Sequence, residues 1–196
     1  MTRLCTSALL AAALLYVCAA AQAAPTVYEA FLSGPAESPP NGSPGTGFAE
    51  VAIDPVANTM LVHVDFSGLL GTTTASHIHA ATVVPGTGPA GVATVTPTFT
   101  GFPLGVTSGT YDMLYDMTLS SSYNATYITA NGGTPASAEA ALFAAIASDQ
   151  AYVNIHTTVV PGGEIRGFLV AVPEPASLTL LAAAPLLLAL RRRRRR

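Results

Sequence analysis

Apolar and polar residues alternate along much of this chain in short runs, the period of a strand with one buried face. The clearest run is 58–69, "NTMLVHVDFSGL": Met60, Val62, Val64 and Phe66 fall on one face, Leu61, His63 and Asp65 on the other. In 108–119, "SGTYDMLYDMTL", Tyr111, Met113, Tyr115, Met117 and Leu119 share a face opposite Asp112, Leu114 and Asp116. Residues 26–34 start as a strand and give way to the loop "GPAESPPNGSPGTG", and 47–55 alternate imperfectly through Phe48, Val51 and Ile53. Residues 150–160 and 163–172 read as a closing hairpin turned at "PGG", 161–163. One stretch has another period. In 134–150, Leu142, Phe143 and Ile146 are spaced for a helix among alanines, with Thr134-Pro135 as a start signal, which predicts one short helix over about 136–148. Short strands between turns rich in Gly, Pro, Ser, Thr and Asn predict an all-β sandwich or barrel.

The ends follow a different logic. Arg3, the apolar run "ALLAAALLYVCAAA" and the small-residue site "AQA" form a three-part export signal, so residues 1–23 are expected to be a signal peptide removed by signal peptidase. At the other end Pro173-Glu174-Pro175 precedes a 15-residue apolar run, 176–190, closed by six arginines, 191–196. That run is short for a permanent span, and the arginines hold it from the cytoplasmic side. The arrangement over 172–196 resembles the PEP-CTERM sorting signal. The resemblance implies transient anchoring through a transmembrane helix, cleavage by an exosortase-type protease, and delivery to the surface or exopolysaccharide matrix of a Gram-negative bacterium.

Removing both ends changes the chemistry available. Cys5 and Cys18 lie in the signal peptide, which excludes disulfides, thiolate zinc sites, iron–sulfur clusters and thiolate copper sites from the mature domain. Residues 24–172 hold ten acids and one base, Arg166, and so carry a charge of about −9. Such a surface repels phosphate backbones, and nucleic acid is excluded as a partner.

Residues 74–112, which contain "ASHIHAA", and 151–169, "AYVNIHTTVVPGGEIRGFL", resemble the chordin-type CHRD domain. Its motifs stand here as His77-Ile78-His79 and as Asn154, His156, Thr157, Pro161, Gly162, Gly163, Glu164, Ile165, Arg166 and Gly167. The resemblance covers residues 24–171 and implies a Greek-key β-sandwich of immunoglobulin-like type, with no settled activity.

Strand alternation sets His77 and His79 on one face with Ile78 opposite, and His156 on the face of Asn154. Were the two strands neighbours, His77, His79 and His156 would form a three-imidazole site for copper or zinc, with His63 or Asp65 as a fourth ligand. Glu164 and Arg166 stand two apart on one strand face, with Arg166 placed for an ion pair with an Asp or Glu across the sheet or for support of that site. Asp54, Asp65, Asp112 and Asp116 lack the spacing of a calcium loop. No nucleophile elbow, phosphate loop or His-Glu-x-x-His motif occurs. Three readings stay open: a non-catalytic binding module with a metal, a copper redox enzyme resembling superoxide dismutase, and a structural or adhesive matrix protein without metal.

Overall fold

The computed structural model describes residues 24–173. The expected signal peptide, Glu174, Pro175, the 176–190 span and the arginine tail lie outside the described residues. Among the described residues no helix is long and apolar enough to cross a membrane.

The chain is built from β1 (Thr26–Ser33), β2 (Thr46–Asp54), β3 (Thr59–Ser67), β4 (Thr73–Ala80), β5 (Gly109–Asp116), α1 (Ala125–Ala130), α2 (Pro135–Ala147), β6 (Ala151–Thr157), β7 (Ile165–Phe168) and β8 (Val170–Ala171). The strands form one antiparallel ladder in the order β4-β6-β7-β1-β2-β3-β5, with β8 also on β1, curled into a half-barrel. The fold is therefore all-β, and its facing layers belong to one continuous sheet. The alternation explains the curl. Val51, Ile53, Met60, Val62, Val64, Ile78, Val153, Ile155 and Ile165 all point inward and are buried. Each such side chain contributes roughly 1.5–3 kcal/mol by leaving water, and a flat sheet would leave that face wet.

β2 and β3 pair from Thr46↔Ser67 to Asp54↔Thr59. Their turn is set by Asp54, whose carboxylate accepts the N–H groups of Val56 and Ala57 at 2.9 Å, and by Asn58 at φ 54°. Phe48 departs from the sequence reading. It pairs with Asp65 and Phe31 on the outer face, while Ala49, Val51 and Ile53 supply the inward one.

The predicted helix is α2. Thr134 accepts the Ser137 N–H while the Ser137 hydroxyl accepts the Thr134 N–H, a capping box with Pro135 at the first helical position. Ala138, Leu142, Phe143, Ala145 and Ile146 bury the facing side. A second helix, α1, was not expected: it is six residues long, and β-branched Thr126, Ile128 and Thr129 hide it. Asn124 caps it by accepting from the Thr126 N–H at 3.0 Å.

The long connection 81–108 covers the outer edge of β4. Ala93 N–H donates to Ile78 O at 2.9 Å, Phe99 N–H to Ser76 O at 3.0 Å, and Ala80 N–H to Gly91 O at 3.1 Å. These bonds close an edge that would otherwise present free backbone groups. Phe99 and Phe102 plug the core from this loop. Tyr111 and Tyr115 point inward as well, bonded hydroxyl to hydroxyl at 2.7 Å, which makes them core residues.

Candidate metal centre

β4 and β6 are neighbours, with His77 opposite Asn154, His79 opposite Tyr152 and Ala75 opposite His156. This register sets His77, His79 and His156 on one face, with His156 diagonal to His77. The ring centroids are 5.8 Å apart for His77 and His79, 5.4 Å for His77 and His156, and 5.8 Å for His79 and His156.

Each imidazole spends one nitrogen on a backbone carbonyl. His77 Nε2 donates to Pro97 O at 2.7 Å, His79 Nδ1 to Ala90 O at 2.9 Å and His156 Nδ1 to Pro161 O at 2.9 Å. A carbonyl only accepts, so each of those nitrogens carries the proton and the other nitrogen of each neutral ring carries a bare lone pair. Those remaining atoms, His77 Nδ1, His79 Nε2 and His156 Nε2, are buried without a hydrogen-bond partner among the described residues.

Burial pushes all three imidazoles below the ordinary histidine range, His79 to about 4, and their mutual repulsion pushes His77 and His79 the same way. They are neutral at pH 7. One ligand nitrogen from each lies within 4.8 Å of the others. Three ligands of a tetrahedral zinc, at roughly 2.0–2.1 Å from the ion, stand about 3.3 Å apart. The ring nitrogens would draw together by up to about 1.5 Å to hold such an ion. Fixed tautomers, neutral rings and orphaned lone pairs are what an imidazole-bound copper or zinc ion requires. Among the described residues no carboxylate joins the cluster, which is made of three imidazoles alone.

His63 and Asp65 are elsewhere. They stand on β3, on the outer face of the sheet, where His63 Nδ1 meets Asp112 Oδ1 at 2.7 Å and Nε2 meets Asp65 Oδ2 at 3.1 Å. The side-chain bond to Asp112 raises the His63 pKa, against the effect of partial burial, and the bond to Asp65 adds to it. The expected fourth-ligand role for this pair is thus corrected: His63, like the clustered histidines, stands on the sheet face away from the core, but β7, β1 and β2 lie between β3 and β6.

Arg166 does meet an acid from another segment, Glu37, and Glu164 is occupied elsewhere. Glu164 is fully buried, and its carboxylate accepts from the Ser43 and Thr157 hydroxyls and from the Leu70 and Gly71 N–H groups. Burial alone would raise its pKa, yet these four bonds hold it below the usual carboxylate value. Arg166 instead donates to Ala36 O and Gly88 O and lies 3.8 Å from the Glu37 carboxylate. Its guanidinium sits 4.7 Å from the centre of the Tyr152 ring, which in turn stacks on His79 at 4.9 Å and 6°. Arg166 thus supports the centre through Tyr152 and fastens the 81–108 loop two residues from Ala90, the carbonyl that holds His79.

Glu37 was missed by sequence reading, which saw only a loop around it. It is buried beside Arg166 and Asn154, and burial raises its pKa against the opposing pull of Arg166. An acid followed by Ser-Pro-Pro carries no signal of burial, because its partners come from β6 and β7.

The two histidine motifs, now seen on paired strands, lie within a stretch that matches a known family: the CHRD domain model covers residues 28–169. The chain belongs to the CHRD family. No curated protein and no solved structure matches the chain. In this CHRD domain, the second motif, from Asn154 to Gly167, is the β6–β7 hairpin, carrying His156, the Pro161 carbonyl that orients it, and Arg166.

Proposed function

We propose that this CHRD domain is a non-catalytic binding module that holds one copper or zinc ion on His77 Nδ1, His79 Nε2 and His156 Nε2. We further propose that it acts at the cell surface or in the exopolysaccharide matrix of a Gram-negative bacterium, after export and sorting through the terminal signals at 1–23 and 172–196. The observation that carries the metal reading is a buried ring nitrogen without a partner on each of three histidines that bring a ligand nitrogen within 4.8 Å of one another, while each other nitrogen is tied to a carbonyl. Leaving a buried acceptor unsatisfied costs about 1–3 kcal/mol each, and three in one place is the pattern that an ion relieves. Family membership supports a binding role.

The test is a titration of the metal-free protein with Cu2+ and Zn2+, read by calorimetry and by thermal unfolding. One-to-one binding is expected, lost by at least a hundredfold in the His77→Ala/His79→Ala variant and unchanged in His63→Ala. A hundredfold excess of metal over Kd should stabilise the domain by about 2.7 kcal/mol. Equal uptake by the wild type and the double variant would overturn the assignment. Superoxide turnover by the loaded protein would replace the binding role with the redox enzyme.

A further inference from the structure

The outer face of the β1-β2-β3-β5 arm carries two features that the fold does not use. Phe31 is 76% exposed and stands directly opposite Phe48, with the rings 5.4 Å apart and tilted by 54°. The same cross-strand row continues through Asp65 on β3 and Thr110 on β5. With Thr46 and Ser67 these residues line an open groove of about 530 Å3, within the roughly 300–1,000 Å3 range of ligand clefts. The adjacent row reads Glu29, Glu50, His63, Asp112, so Glu29 and Glu50 face each other across the ladder. Like charges directly opposite are destabilising. The only arginine or lysine among the described residues, Arg166, is buried beside Glu37 and cannot offset them.

We propose that this face binds an amine-bearing polysaccharide, a polymer of amino sugars with free ammonium groups. Phe31 and Phe48 take the C–H face of a sugar ring, and Glu29, Glu50 and Asp65 take its ammonium. Aromatic faces attract both C–H groups and cations, while the Thr46 and Ser67 hydroxyls can each donate to and accept from a sugar hydroxyl, and the Thr110 hydroxyl, which donates to Asp65 Oδ1 at 2.6 Å, can accept from one. The charge selects a cationic occupant over the phosphate- or carboxylate-bearing polymers that a domain of about −9 repels. A basic peptide fits less well. Phe31 and Phe48 stand on strands paired along both edges, so no backbone edge is free there for strand addition.

This surface is separate from the histidine centre, which lies on β4 and β6, so either reading can fail alone. The test measures binding of the full chain in detergent to three probes: a fully deacetylated glucosamine hexasaccharide, its N-acetylated form, and hexalysine. The deacetylated sugar is expected to bind at least tenfold more tightly than the other two. Phe31→Ala and Glu29→Gln/Glu50→Gln should each weaken it roughly tenfold, as loss of a cation–π or surface charge contact does. Both variants change surface side chains, and unchanged thermal unfolding establishes that they are folded. His77→Ala/His79→Ala should bind the sugar as the wild type does. No binding of the deacetylated sugar overturns the proposal. So does tighter binding of hexalysine, or binding indifferent to Phe31, because the surface would then read charge without reading a sugar.

Discussion

Glu164 and Arg166 are two residues apart and do different work, which a linear reading cannot separate. Glu164 has no exposed surface and four donors from three segments of chain, so it ties 43, 70–71 and 157 to the start of β7. Glu164→Gln keeps the shape and exchanges one acceptor oxygen for an NH2 group facing donors. Hydrogen bonds to a charged group contribute about 1.5–3 kcal/mol each, so the variant should lose roughly 2–4 kcal/mol of stability in denaturant unfolding. A loss under 0.5 kcal/mol would mean that the carboxylate is not the tie described. The histidines were more legible. That His77, His79 and His156 avoid the apolar side follows from alternation alone. The carbonyls that fix their tautomers, at Pro97, Ala90 and Pro161, do not, since every residue has a carbonyl and only the path of the loop decides which one arrives.

At the level of elements, the strands and α2 were readable because their own periodicity decides which face is buried. The 81–108 connection was not. It has no period, and its place along the edge of β4 comes from backbone bonds to Ser76 and Ile78 and from Phe99 and Phe102 entering the core. The β6–β7 turn shows the same division. "PGG" signals a turn, but Gly163 is required for a reason outside it: at φ 128°, a Cβ there would lie 2.6 Å from the Asn154 amide and 2.8 Å from Glu37 Oε1. Gly163→Ala is therefore expected to destabilise the domain by about 1–3 kcal/mol through backbone strain. Because Pro161, two residues earlier, orients His156, it should also weaken metal binding while Gly162→Ala, with open space around it, does neither. Calorimetry on the pair of variants checks this, and equal effects from both would break the link between turn and centre.

For the whole molecule, the pH profile follows from which way each buried group is shifted. The three clustered histidines have folded pKa values below the unfolded value of about 6.5, so unfolding takes up protons as the pH falls. Their contribution is intact above about 6.5 and is lost toward pH 4, where His79 itself titrates at about 4. His63, raised by Asp112 and Asp65, has the opposite sign, present below about 6.5 and fading as the pH rises, but it is partly exposed and screened. The metal-free protein should thus lose thermal stability between pH 7 and 4.5. A His77→Gln/His79→Gln/His156→Gln variant should lose less over the same range, and parallel profiles would contradict the sign. By itself the sequence determined the all-β class, the strand periods, the helix near 136–148, the acidic surface and the facing of the histidines, because each depends on the local order of side chains. Only the tertiary structure decided that the ladder is one curled sheet, that β6 lies beside β4, that His63 and Asp65 stand on a strand remote from the centre, and that Glu37 is buried against Arg166. Those depend on which segments meet across long separations in the chain, and the packing of one shared core selects them.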